Sequence, residues 1–330
     1  MTRPLLLIAR RVFPDIIERL RPHFEVRTHD ADAPLLQPEL ISALRGVAGV
    51  LVTGSERIDA ALLDACPELK AVCAMTVGYD NIDVAACTAR GVVVTNAPEV
   101  LTETTADFGF ALMMSVARSI SPAQRFLREG RWSYWGVDMF AGADIHGSTL
   151  GILGMGRIGQ AIARRGQRGF GMKVAYHDPY RASPDVEASL GTQWMTLPGL
   201  LSVADHLVIM TPYSAATHHL VGARELAWMK PTATLTNIAR GGVVDEPALV
   251  EALRTGVIAA AGLDVFEGEP AVLPALLTLD NLTLTPHIAS ASVATRRAMA
   301  DLAVDNLRAA FGVGSQPGRP PTALNPEVLG

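Results

Sequence analysis

Cysteine is scarce in this chain of 330 residues. Cys66, Cys73 and Cys87 are the only three, and no two of them form a C-x-x-C pair. An odd count in a chain of this size is not a disulfide framework, so these positions read as buried, reduced thiols of a cytoplasmic protein. Long apolar runs are missing too. No uncharged stretch approaches the ~18 residues that a bilayer crossing needs. Leu5-Leu6-Leu7-Ile8-Ala9, followed at once by Arg10-Arg11, is too short for an export signal. Neither sign of charge dominates. Lys and Arg number 28 against 33 Asp and Glu, for a net charge of −5, so neither nucleic acid nor a membrane surface is expected as a partner. What is present is an apolar fraction of 49% beside only 18% charged residues, the balance of a soluble globular protein. The length suggests about two domains.

The order of the chain is βα throughout. Residues 4–10, 25–28, 49–53, 69–77 and 92–95 read as strands, with helical patterns at 14–24, 38–44, 59–65 and 83–89 between them. Such alternation argues for a parallel sheet covered on both faces. A long helix is expected from 102 to 118. The segment 121–144 breaks the rhythm with Pro122, Gly130, Gly136, Gly142 and the aromatics Trp132, Tyr134, Trp135 and Phe140. A second series begins at Thr149, with strands expected at 149–153, 173–178, 206–211, 233–237, 260–266 and 282–285. One more helix, 292–311, precedes a Gly/Pro-rich tail that reads as extended and surface-packed.

The most specific local motif is Gly154-Met155-Gly156-Arg157-Ile158-Gly159. A bare G-x-G-x-x-G is weak, but here it follows one strand pattern and opens a helix. An aspartate, Asp178, ends the next strand 19 positions beyond the last glycine. Gly154 makes the tight turn, Gly156 lets the backbone approach a pyrophosphate, and Gly159 lets helix and strand pack closely. The helix N-terminus offers free N–H groups to phosphate. Asp178 would accept hydrogen bonds from the adenosine ribose and repel a 2′-phosphate, so NAD is favoured over NADP. Arg181 nearby leaves NADP open. Adjacent histidines point in divergent directions, so His218 and His219 read as surface residues, and no metal is assigned.

With these residues in place, the chain resembles the D-isomer-specific 2-hydroxyacid dehydrogenases over nearly its whole length. The matching blocks are Val77-Gly78-Tyr79-Asp80-Asn81-Ile82-Asp83, the glycine turn, Asn237-Ile238-Ala239-Arg240-Gly241-Gly242-Val243-Val244-Asp245, Gly262-Leu263-Asp264-Val265-Phe266-Glu267-Gly268-Glu269-Pro270 and Thr285-Pro286-His287-Ile288-Ala289-Ser290. The resemblance is strongest to glyoxylate/hydroxypyruvate and 2-ketogluconate reductases. It implies an α/β fold in which a Rossmann-type NAD-binding domain (100–287) is inserted into a flavodoxin-like substrate domain (1–99 and 288–330).

It also implies that Arg240, Glu269 and His287 are catalytic, and the chemistry agrees. Arginine can hold a carboxylate bidentately, histidine carries protons near neutral pH, and a glutamate can orient the imidazole and favour its charged form. By the same resemblance the Val77 and Gly78 amides meet the substrate carboxylate. Thr105 (or Thr104), Arg157, Ile158, Thr211, Pro212, Ile238, Ala239, Asp264 and Ser290, with Arg240 and His287, match cofactor-side positions. Asp264 is expected near the carboxamide. Closure of the two domains over a cleft is expected with the reaction.

Trp135, with Trp132, Met139 and Phe140, resembles a segment that narrows the pocket, sometimes across a homodimer. The expected reaction is reduction of a small 2-oxo acid, glyoxylate or hydroxypyruvate first. The alternatives are 2-ketogluconate reduction, phosphite oxidation (disfavoured because Thr76 stands where those enzymes carry a lysine) and an NAD-sensing corepressor-like module.

Overall fold

The computed structural model describes residues 3–31 and 33–329. The chain divides into two compact units, Met1–Leu101 with Ser292–Gly330, and Thr102–Ala291.

The first unit is built on five short strands, β1 (Leu5–Ile8), β2 (Glu25–Thr28), β3 (Gly49–Val52), β4 (Ala71–Ala74) and β5 (Val93–Thr95). Between them run helices α1 (Pro14–Glu18), α2 (Gln37–Leu44), α3 (Ala60–Ala65) and α4 (Val84–Ala89). All strands are parallel in the order β2-β1-β3-β4-β5. Both faces are buried, as parallel sheets require. Leu7, Val50, Val52, Val72 and Val94 meet Leu40, Leu44, Leu62 and Leu63 on one side. Leu6, Ile8, Leu51, Ala71 and Val93 face Ile16 and Ile17 on the other. Asp59 and Asp83 cap α3 and α4 by accepting from the amides of Leu62 and Ala86.

The second unit opens with α5 (Thr102–Ala117) and α6 (Ile120–Arg128). Then come β6 (Thr149–Leu153), α7 (Arg157–Phe170), β7 (Lys173–His177), α8 (Pro184–Leu190), β8 (Thr192–Trp194), α9 (Leu197–Val203) and β9 (His206–Ile209). The remainder is α10 (Ala223–Leu226), β10 (Thr234–Asn237), α11 (Glu246–Thr255), β11 (Ala260–Leu263) and β12 (Leu282–Leu284). Its parallel sheet has the order β12-β11-β10-β9-β6-β7-β8. The order reverses between β6 and β9, and ligands of such sheets bind beyond the strand ends at that point.

The chain then returns to the first unit as α12 (Val293–Ala310), whose Ala300, Ala303, Val304 and Leu307 complete the second face of the five-stranded sheet.

Four local expectations are corrected. The helix expected over 14–24 stops at Glu18. The segment 121–144 is not wholly irregular, because α6 occupies its start, although it buries none of its residues. The larger sheet has seven strands rather than six, since β8 follows the left-handed turn at Gly191. The tail does more than lie on the surface. Ala323 bridges Thr95, and the buried Asn325 accepts from the Val94 amide (2.8 Å) and donates to the Val92 carbonyl (2.9 Å), closing the β5 edge. Among the described residues no helix is long and apolar enough to cross a membrane.

Candidate active site

The glycine turn stands between the ends of β6 and β9. Gly154 has φ +102°, and a Cβ there would lie 2.8 Å from the carbonyl carbon of Met210, just beyond β9. A Cβ on Gly159 would lie 2.2 Å from the Gly154 carbonyl oxygen, so helix and turn meet backbone to backbone. Gly156 differs: a Cβ there would touch nothing within 4 Å, leaving open space before the first amides of α7. That cradle suits a pyrophosphate. Asp178, just past β7, braces it by accepting from the Met155 amide (2.9 Å) and the Tyr180 amide (2.9 Å). Arg157 is exposed and Ile158 half-buried at the mouth of the helix. Thr211, beyond β9, donates to the Leu153 carbonyl at 3.1 Å, next to the exposed Pro212.

The loop after β10 carries Arg240. Asn237, with no exposed surface, staples it: its side chain accepts from the Ala239 amide (3.0 Å) and donates to the Arg240 carbonyl (2.8 Å). Ile238 and Ala239 are buried and Arg240 is half-buried, with Nη1 donating to the Ala239 carbonyl at 2.8 Å. Gly241 follows because nothing larger fits; a Cβ would lie 1.9 Å from the Phe266 carbonyl carbon. This contact seats the arginine loop on the loop after β11, which carries Glu269.

Glu269 links that loop to His287. One carboxylate oxygen accepts from the Phe266 amide (2.8 Å) and the other meets His287 Nδ1 at 2.7 Å. Burial pushes the Glu269 carboxyl up, but the His287 hydrogen bond and charge, the Phe266 amide and the Arg240 charge bring it below its ordinary range. With Nδ1 engaged, His287 Nε2 makes no hydrogen bond among the described residues. The ring is half-exposed, and the residue sits at φ +52°, a left-handed conformation that a histidine adopts only when its surroundings hold it.

Asp264 does the holding. Its carboxylate accepts from the Ile288 amide (2.9 Å), the Ala289 amide (2.8 Å) and the Thr285 hydroxyl (2.7 Å), and its carbonyl accepts from the His287 amide (2.8 Å). The residue has no exposed surface, and burial outweighs these donors to raise its pKa. The carboxylate thereby fixes the turn that carries His287. Ser290, half-buried, ends that turn.

In the first unit, the loop after β4 has its carbonyls satisfied from within. Asn96 donates to the Val77 carbonyl (2.8 Å) and Thr76 donates to the Gly78 carbonyl (2.7 Å). The Val77 and Gly78 amides find no acceptor among the described residues, an arrangement that can receive a carboxylate.

Two expectations change character. Thr105 is 5% exposed, with its hydroxyl buried and unpartnered, whereas Thr104 is half-buried, so Thr104 is the more accessible of the pair. His218 and His219 do not diverge. Their rings stack at 3.8 Å, and Glu267, 48 residues on, meets His219 Nε2 at 3.0 Å. Potential ligand atoms of the three lie within 4.8 Å of one another. Glu246, on the first turn of α11, was not singled out by sequence. It is buried and accepts from the Glu267 amide at 2.8 Å, anchoring the loop two residues before Glu269. No motif marked it, because the partner is a backbone amide 21 positions away. Trp132 and Trp135 are 58% and 75% exposed.

A doubly wound sheet with a phosphate cradle at its reversal, and a paired histidine and glutamate with an arginine at neighbouring strand ends, define a dinucleotide-dependent oxidoreductase. Comparison makes this specific. A profile described as "D-isomer specific 2-hydroxyacid dehydrogenase, NAD binding domain" matches residues 110–289. A glyoxylate reductase of Thermococcus onnurineus is 46% identical, over 99% of this chain and 97% of the relative. The structure of an NADPH-dependent glyoxylate/hydroxypyruvate reductase from Sinorhizobium meliloti, in complex with NADP and malonate, superposes with a TM-score of 0.84 at 40% identity and covers 98% of each chain. The holo D-mandelate dehydrogenase of Rhodotorula graminis also superposes, with a TM-score of 0.84 at 28% identity, again over 98% of each chain. The chain belongs to the D-isomer-specific 2-hydroxyacid dehydrogenase family.

Proposed function

We propose that this protein reduces small 2-oxo acids, glyoxylate or hydroxypyruvate foremost, to the D-2-hydroxy acids. The observation that carries the reading is His287. It is pinned in a left-handed turn, bound through Nδ1 to Glu269 at 2.7 Å, and open at Nε2. When bound, NADH or NADPH supplies the hydride that the carbonyl carbon accepts. Gly154, Gly156, Gly159 and the first turn of α7 would hold its pyrophosphate, and Asp178 its adenosine ribose. Arg240 binds the substrate carboxylate and draws electron density toward the keto oxygen. His287 donates its Nε2 proton to that oxygen as negative charge develops there. Glu269 stabilises the charged imidazole before transfer and fixes its orientation. The Val77 and Gly78 amides supply further donors for the carboxylate.

Trp132, Tyr134, Trp135 and Val137, all exposed, together with a helix α6 that buries nothing, support a homodimer in which a second copy covers this strip and Trp135 borders the pocket. Three free buried cysteines fit a cytoplasmic location. The test of the function is turnover of 2-oxo acids by the protein and by His287→Ala. Loss of turnover with NADH binding retained is expected. Undiminished turnover in the variant would remove His287 from the chemistry.

A further inference from the structure

The loop between β7 and α8 carries one arginine, Arg181, three residues after the aspartate assigned to the ribose. An arginine placed there is the natural partner of a 2′-phosphate, because its fork matches phosphate oxygens. In this structure the fork is already filled. Arg181 Nε donates to Glu187 Oε1 at 2.9 Å and Nη2 donates to Oε2 at 2.8 Å, a bidentate pair. Glu187, on α8, is itself held: the buried Tyr176 donates its hydroxyl to Oε1 at 2.6 Å, and that hydroxyl accepts from the Ala182 amide at 2.9 Å. The hydrogen bonds from Arg181 and then Tyr176 hold the Glu187 carboxyl down to about 2, so the pair stays charged across the neutral range.

We propose that Glu187 is a cofactor-selectivity residue, acting as a clamp that holds the Arg181 guanidinium away from the 2′-position of the adenosine ribose and so favours NADH over NADPH. The clamp acts together with Asp178 but separately from it. Asp178 repels the phosphate, and Glu187 removes the cation that would otherwise compensate. The Glu187 end of the pair is fixed by Tyr176, whereas the guanidinium is on an exposed, flexible stem, so loss of the glutamate charge frees the arginine rather than the reverse. The proposal rests on the reading that the glycine turn and Asp178 bind a dinucleotide.

The test is binding, not turnover. Dissociation constants of NADH and NADPH are measured on the full-length protein by fluorescence, and 2′-AMP is measured by competition with NADH. Glu187→Gln keeps an acceptor for Tyr176 and removes the charge. It is expected to bind NADPH and 2′-AMP about tenfold more tightly, the scale of one charge-assisted contact to phosphate, with NADH within about twofold of wild type. Adding Arg181→Ala to that variant should abolish the gain. Arg181→Ala alone should leave NADPH binding unchanged, because the clamped arginine contributes nothing; this arm stands even if Glu187→Gln folds poorly. The proposal is overturned by an unchanged NADPH constant in Glu187→Gln, by a gain that survives Arg181→Ala, or by weaker NADPH binding in Arg181→Ala alone. A wild-type protein with no affinity for NADH or NADPH would overturn the dinucleotide reading itself, and the clamp with it.

Discussion

Gly241→Ala tests how tightly the arginine loop is fitted to the glutamate loop. The added Cβ would lie 1.9 Å from the Phe266 carbonyl carbon and 2.2 Å from the Glu267 nitrogen, both backbone atoms that no rotamer can move aside. Restoring an ordinary contact of 3.4 Å from 1.9 Å requires the two loops to part by about 1.5 Å. Arg240 rides on one side of that contact. On the other, the Phe266 amide anchors Glu269. A misplacement of about 1 Å in a catalytic constellation costs on the order of 10²-fold, so kcat/KM should fall about 10²-fold. Overpacking should remove about 1–3 kcal/mol of stability by urea denaturation. NADH binding should change little, since the glycine turn is a separate element. Gly242→Ala is the internal control. Its Cβ would meet Tyr213 Cε2 at 2.7 Å, but that ring is 41% exposed and can swing away. Activity within about threefold of wild type is expected there. Equal damage from the two substitutions, measured on folded protein at low temperature, would refute the reasoning.

Other consequences are more local. Asp264→Asn puts an amide NH2 against backbone donors and should cost about 2 kcal/mol of stability. It should also lower kcat through the His287 turn with little change in NADH affinity, checked by urea melts and steady-state kinetics. Glu269→Gln removes the charge beside His287 and should lower kcat/KM about 10²-fold with the fold intact. Asn325→Ala strands the Val94 amide and the Val92 carbonyl at the β5 edge and should cost about 2 kcal/mol in the same melts. Acid titration reports on Glu187, whose folded pKa of about 2 lies below its ordinary 4.5. Its contribution to stability is complete above about 4.5 and is lost as pH falls toward 2, so wild type and Glu187→Gln should converge over that window.

Much of this was legible in the sequence, and the exceptions have physical causes. The strands of both sheets announce themselves because parallel strands are buried on both faces and read as apolar runs, as Gly49–Val52 and His206–Ile209 do. Thr192–Trp194 did not, being three residues too short for any period and started by a turn at Gly191. The glycine turn and the Arg240, Glu269 and His287 blocks were visible because each needs particular residue types in a fixed local order. What supports them was not. The sequence marks Asp264 as a site residue but does not show its four hydrogen bonds to the turn at 285–289. Glu246, the His219–Glu267 contact and the Arg181–Glu187 clamp are side chains brought together by tertiary folding or by a loop closing back on its helix. The tail read only as Gly/Pro-rich and extended, yet the buried Asn325 and the Ala323 bridge tie it to the sheet.

The central claim is that His287, set by Glu269, delivers the proton in reduction of a small 2-oxo acid. The most direct measurement is NADH and NADPH oxidation by the purified protein with glyoxylate, hydroxypyruvate, 2-ketogluconate and pyruvate, alongside NAD reduction with phosphite, each repeated with His287→Ala. The account predicts turnover led by glyoxylate or hydroxypyruvate, abolished in the variant while NADH still binds. A wild-type protein that binds NADH tightly and reduces none of these acids, or a variant that reduces them as well as wild type does, would contradict it.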